Sequence, residues 1–97
     1  SISFHERSGM ITGDAVLCKL PSNKRKAILE YLLRENEKLE HLSFSVERES
    51  VILSLVLNDH SINDDRGLDS LMDLFTKADT FDNILVEQFD ASWPDSV

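Results

Sequence analysis

The stretch from Val51 to Leu57 constrains the fold of this chain more than any other. It reads Val-Ile-Leu-Ser-Leu-Val-Leu, and alternate residues of a strand point to opposite faces of a sheet. Two apolar sets result: Val51, Leu53, Leu55 and Leu57 on one face, and Ile52 and Val56 on the other. Because a strand of this kind is typically covered on both sides, the sequence predicts a strand that needs apolar partners on both faces.

A helix and another strand precede this strand. Between Asn23 and Leu39 apolar residues recur at i, i+3, i+4 spacing, which predicts a helix of about five turns. Ser22 is its expected N-cap. Leu42 to Glu47 alternates apolar and polar residues, which is typical of a strand with one face inward. We therefore expect a helix followed by a two-stranded hairpin.

Extended segments begin the chain and a helix closes it. Residues 1–4 and 10–20 are predicted strands, and Gly13 lies at a predicted turn or bulge that would divide the second of them. Apolar residues follow the helical period from Leu68 to about Gln88. The predicted fold is α+β, an antiparallel sheet of four to five strands with two main helices in the order β-β(-β)-α-β-β-α.

The chain has the length of one domain. Its 97 residues suffice for a single core, which we assign to residues 1–90, and Pro94 interrupts the helical period in a predicted tail over residues 91–97. Two helices cover one sheet face. Leaving Ile52 and Val56 in water on the other face forfeits about 1.5–3 kcal/mol for each side chain. This cost predicts an oligomer, or cover from residues outside this sequence.

Charge and apolar content exclude several classes of partner. The formal net charge is −8, from 18 acids and 10 bases, which argues against binding to a phosphate backbone. No apolar run approaches the ~20 residues that cross a bilayer, so no membrane insertion is expected. Cys18 is the one cysteine, which fits a reducing cytoplasm. The chain starts without Met or a signal peptide, and we expect a fragment of a longer protein.

No residue pattern predicts an enzyme, a metal site or a cofactor. The sequence has neither a G-x-S-x-G elbow nor a glycine-rich phosphate loop. His5, His41 and His60 form no metal-binding spacing. The run from Asp59 to Asp65 lacks the glycine and glutamate that a calcium loop requires. Cys18 lies on an apolar strand face and is predicted to be a packed thiol.

Three cations stand at the start of the predicted first helix. Lys24, Arg25 and Lys26 lie where the helix dipole is positive, and each is unfavourable there by roughly 0.3–1 kcal/mol. Either nearby acids or a bound anion would compensate them. The second possibility gives an alternative function, a sensory or regulatory domain of a larger bacterial protein that reads a small anionic ligand.

Four segments carry a resemblance to a known family. Tyr31–Leu39, Phe44–Val46, Val51–Leu55 and Ala78–Asp79 resemble the YbjN-like relatives of type III secretion chaperones. In that family a helix ending near "LLxxNxxL" leads into a hairpin, and the last helix carries "AD". The family order is α-β-β-β-α-β-β-α. The resemblance covers most of residues 1–90 and lacks the first helix.

The resemblance implies a non-enzymatic, chaperone-like bacterial protein that forms a homodimer. Such proteins bind partner segments in extended form along apolar surface. The family's first helix packs against the sheet, so its loss would expose apolar surface. Together with the doubly apolar strand, this makes Tyr31, Ile52, Leu55 and Val56 the expected contact residues for a protein partner or a second copy.

Overall fold

The structure is a computed structural model that describes residues 2–7, 10–58 and 65–94. Its elements are β1 (Ile2–Arg7), β2 (Met10–Lys19), α1 (Arg25–Lys38), β3 (Leu42–Glu47), β4 (Ser50–Asn58) and α2 (Asp65–Phe89). The strands form one antiparallel sheet in the order β1-β2-β4-β3. This confirms the predicted α+β class and the order β-β-α-β-β-α.

The strand β2 runs unbroken through the predicted turn at Gly13. Its residues from Thr12 to Asp14 pair with β1 on one side and with β4 on the other. The irregularity lies further on, between Val16 and Cys18. A bulge shifts the alternation of a strand, and as a result Leu17 and Cys18 are both buried.

The core lies between one face of the sheet and the two helices. The helix α2 packs on β2 and β4, and α1 packs on β3. The strands supply Leu42, Phe44, Val51, Leu53, Leu55 and Leu57, and the helices supply Ile28, Leu32, Leu74, Ala78, Phe81 and Leu85. The rings of Phe44 and Phe81 meet edge to face with centroids 4.9 Å apart, which joins α2 to the outer strand β3.

The helix α1 begins two residues later than the sequence predicts. Its N-cap is Lys24, which has φ 61° in the left-handed region and makes no side-chain cap. The predicted cap at Ser22 is therefore wrong, because Ser22 lies two residues before the cap position and a capping hydroxyl bonds the second or third helical N–H. The helix ends where the Leu39 N–H donates to the Glu35 carbonyl at 3.2 Å.

The helix α2 is continuous from Asp65 to Phe89, one residue beyond the predicted end. Asp90 then turns the chain with φ 60°. Ser92 pairs with Lys19 through two backbone hydrogen bonds of 2.7 and 3.1 Å, so the predicted tail begins with a segment tied to β2. Trp93 is exposed. Within the described residues, neither helix is long and apolar enough to span a membrane.

Candidate functional site

The sheet face that the helices leave uncovered is the first candidate surface. The strand registers place Val16, Ile52 and Ser45 in one row, and Thr12 beside Val56 in another. Val56 is 46% exposed and Ile52 is half-buried. Two of the four predicted contact residues thus lie on this open face.

A polar row divides the apolar side chains of the open face. The Ser54 hydroxyl donates a hydrogen bond to the Asp14 carboxylate at 2.7 Å, and Ser43 pairs with Ser54 in the register of β3 and β4. Val16 and Ile52 lie on one side of this row, and Val56 lies on the other. The open face therefore carries two small apolar patches with a hydrogen-bonded row between them.

The other two predicted contact residues lie elsewhere. Leu55 is 1% exposed, because its side chain points to the helix-covered face with Leu53. The expectation that Leu55 contacts a partner is therefore wrong. Tyr31 is half-buried between the helices, with its ring centroid 5.0 Å from that of Phe89 and 6.5 Å from that of Phe81. The four residues do not form one surface.

Acids compensate two of the three cations at the start of α1. Lys24 pairs with Asp90 at 3.0 Å, and Arg25 pairs with Glu49 at 2.6 Å. The hydrogen bond from Arg25 lowers the pKa of the Glu49 carboxyl. Lys26 is exposed. The sequence allowed either nearby acids or a bound anion to compensate these cations. For Lys24 and Arg25, nearby acids do so.

The thiol of Cys18 is packed rather than reactive. It is fully buried, and burial, together with the nearby Asp82 carboxylate, raises its pKa to about 11. Since the thiolate is the nucleophilic form of cysteine, this thiol is protonated at neutral pH. The prediction of a packed thiol is confirmed.

No group of three or more potential metal ligands occurs in residues 2–7, 10–58 and 65–94. His60 and the greater part of the calcium-like run, residues 59–64, lie outside the described residues. The expectation that the chain has no metal site therefore stays a prediction.

Asn36 closes the outer edge of the sheet at β3. Its Nδ2 donates to the Phe44 carbonyl at 3.1 Å, and its Oδ1 accepts from the Phe44 N–H at 2.6 Å. A side-chain amide thus occupies two of the backbone groups that a neighbouring strand would use.

A second surface, which the sequence reasoning missed, lies between β1 and α2. Phe4, Ile11 and Leu71 line a groove of about 410 Å³, which we call the β1–α2 groove. Along α2, exposed or half-buried apolar side chains follow at i, i+3, i+4 and i+7 from Leu68. This exposed stripe of α2 consists of Leu68, Leu71, Met72 and Phe75. The exposed and the buried apolar residues of α2 follow the same helical period. The sequence pattern alone therefore could not distinguish this exposed stripe from Leu74 and its buried neighbours.

Two carboxylates continue the exposed stripe towards the end of α2. Asp79 and Asp82 follow Phe75 at i+4 and i+7. The Oδ1 atom of Asp82 is buried and has no hydrogen-bond partner among the described residues. Burial raises the pKa of the Asp82 carboxyl the most, and the charge of Asp79 raises it further. A hydrogen bond from the Asn83 backbone lowers it.

A third apolar surface lies between α1 and β3. Leu29 and Leu33 stand one turn apart on α1 and line a groove of about 260 Å³ with Val46. All three side chains are exposed. Large apolar side chains are thus exposed on both sheet faces and on both helices.

The chain matches no protein-family model, and no curated protein matches it at a significant level.

Proposed function

We propose that this chain is a non-enzymatic, chaperone-like protein-interaction domain that self-associates and binds a protein partner through apolar surface. One observation carries the proposal: large apolar side chains are exposed in groups along the β1–α2 groove and between α1 and β3, and Val56 is exposed on the open face. Single exposed apolar residues are ordinary, whereas grouped ones mark interaction surfaces.

Self-association is proposed for the open face. Covering Ile52 and Val56 would recover about 1.5–3 kcal/mol for each side chain that becomes fully buried. Face-to-face packing suits this surface better than pairing through β3, since Asn36 already bonds the Phe44 backbone at that edge. The dimer we propose therefore stacks two open faces.

The resemblance to the YbjN-like relatives of type III secretion chaperones supports the same class of function. On that basis we propose a bacterial, cytoplasmic protein whose partner segments lie along apolar surface. The ion pairs of Lys24 and Arg25 favour this proposal over the alternative, a domain that reads an anion at the start of α1 through Lys24, Arg25 and Lys26.

Light scattering across a concentration series tests the proposed self-association. We expect the mass of a dimer for the native chain and the mass of a monomer for Val56→Asp, because two buried carboxylates would face each other across the interface. Circular dichroism should show the same folded spectrum for both proteins, since Val56 is not part of the core.

The matched control is Val46→Asp. Val46 is exposed to a similar degree but lies on the helix side of β3, in the groove with Leu29 and Leu33. It should leave the dimer intact. A native chain that stays monomeric at every concentration, or a Val56→Asp variant with unchanged mass, contradicts self-association through the open face.

A further inference from the structure

We propose that the β1–α2 groove and the exposed stripe of α2 bind an amphipathic helical segment of a protein partner whose basic side chains lie against Asp79 and Asp82. The inference rests on the proposed function, a protein-interaction domain, and specifies the chemistry of the partner at one surface. It concerns the helix side of the molecule, whereas self-association concerns the open face.

The apolar half of this surface is a groove beside an exposed helical stripe. Phe4 and Leu71 stand on its two sides, and Phe4 is 48% exposed while Met72 is 63% exposed. The distance from Leu68 to Asp82 along α2 is about 21 Å at 1.5 Å per residue. A partner helix of about four turns would cover it, with anchors on one face at i, i+3, i+4 and i+7.

The charge of this surface selects the partner. Glu6 borders the groove on β1, and Asp79 and Asp82 continue the stripe along α2. On the opposite flank of α2, Lys77 is paired with Asp73 at 3.4 Å. A second copy of the chain would bring the same acids to this surface, and like charges oppose such contacts. A basic segment would be attracted instead.

The two neighbouring carboxylates, Asp79 and Asp82, locate the basic end of the partner. Oδ1 of Asp82 is buried without a hydrogen-bond partner among the described residues, and a buried acceptor left unpaired is costly. Asp79 places a second negative charge nearby. A lysine or arginine of the partner would pair with the exposed Asp79 carboxylate and offset the negative charge that Asp82 adds beside it.

Fluorescence anisotropy with two designed peptides tests this inference on the whole chain. Both peptides are amphipathic helices of about 15 residues, long enough to cover the stripe, with leucine on the apolar face. One carries lysine on its polar face and the other carries glutamate at the same positions. We expect the Leu/Lys peptide to bind and the Leu/Glu peptide not to bind.

Two pairs of variants locate the binding surface. The double variant Asp79→Asn/Asp82→Asn should weaken binding of the Leu/Lys peptide about tenfold, the loss of one charge-assisted hydrogen bond. The control is Glu37→Gln/Glu40→Gln, in which Glu37 lies in α1, Glu40 follows it, and both are exposed. It changes the net charge equally and should have little effect on binding. Met72→Gln should weaken binding, and its control Leu33→Gln, at an exposed leucine of α1, should not.

Several results would overturn the inference. Equal binding of both peptides would show that charge does not select the partner. An equal loss in the Glu37/Glu40 control would show that the attraction comes from the net charge of the chain and not from Asp79 and Asp82. Failure of both peptides to bind would mean that the groove does not dock a helix. Binding that weakens as the protein concentration rises would assign the groove to a second copy. Unless the groove binds a second copy, the light-scattering result for Val56→Asp does not depend on these outcomes, so failure of this inference is distinguishable from failure of the proposed function.

Discussion

At the scale of single residues, Asn36 has the clearest structural effect. Its side-chain amide makes two hydrogen bonds to the Phe44 backbone. We expect Asn36→Ala to lower the free energy of unfolding by roughly 1–3 kcal/mol, because it leaves a partly buried N–H and carbonyl without partners. Urea denaturation measures this loss.

Asn83→Ala is the control for that substitution. The Asn83 amide also bonds a backbone carbonyl, that of Asp79 at 2.8 Å, but it is exposed. Surface changes of this kind stay within about 0.5 kcal/mol. Equal losses in the two variants would show that the amide at the β3 edge has no special role.

Asp82 makes stability depend on pH in a direction opposite to that of most acids. The pKa of its carboxyl is raised in the folded state by burial and by Asp79, so the folded state binds more protons than the unfolded state near that pKa. The contribution of Asp82 to the free energy of unfolding therefore falls as pH rises through the folded pKa. Asp82→Asn should be more stable than the native chain at neutral pH.

This gain should shrink as pH falls below the folded pKa, where the native carboxyl is neutral as well. Thermal unfolding of both proteins from acidic to neutral pH measures the difference. Glu37→Gln, at an exposed position of α1, serves as the control for removal of one negative charge. A stability gain that stays constant across the pH range would contradict an effect of the Asp82 charge.

At the scale of elements, Gly13 controls how closely β1 lies over the core. A Cβ atom at this position would be 2.8 Å from Cε1 of Phe4 and 3.2 Å from Cδ2 of Leu74. Gly13→Ala should therefore destabilise the chain by about 1–3 kcal/mol, the range for an overpacked core. Denaturation of the single variant measures this cost.

Adding Phe4→Leu to Gly13→Ala should recover part of the loss, because it removes the closest ring contact while retaining an apolar side chain. The single variant Phe4→Leu completes the double-mutant cycle. Strictly additive losses would mean that Phe4 moves away from the new Cβ atom without cost.

The elements also show what the sequence determines and what it does not. Alternation predicted β3 and β4, and the helical period predicted α1 and α2 to within three residues of each end. The bulge after Val16 escaped prediction because Leu17 and Cys18 are both apolar, so either register satisfies the pattern. The first residue of α1 was not predicted correctly, because Lys24 adopts a left-handed conformation that a lysine in a sequence does not indicate.

The candidate surfaces were less predictable than the fold. The pattern separated Ile52 and Val56 from the opposite face of β4, yet Leu55 was assigned to a contact although its face is the one that the helices cover. The exposed stripe of α2 shares the period of the buried one. Periodicity shows that residues lie on a common side of a helix, but only the assembled fold shows which sides meet another element.

At the scale of the whole molecule, self-association should make thermal stability depend on concentration. A dimer that forms only from folded chains raises the melting temperature as protein concentration increases. We expect this rise for the native chain and its absence for Val56→Asp, measured by calorimetry over a hundredfold dilution series. A native chain whose melting temperature is constant over that range would contradict the proposed dimer.

The amide of Asn36 also limits how many copies can join edge to edge. Chains that add strands to one another grow into open-ended fibres only if each copy offers two free edges. Here a side chain occupies backbone groups at the β3 margin, while β1 pairs with a single strand in the sheet. Pairing through the remaining margin would join two copies about a twofold axis and stop there. The Asn36 amide would therefore disfavour open-ended growth through the β3 margin at Phe44.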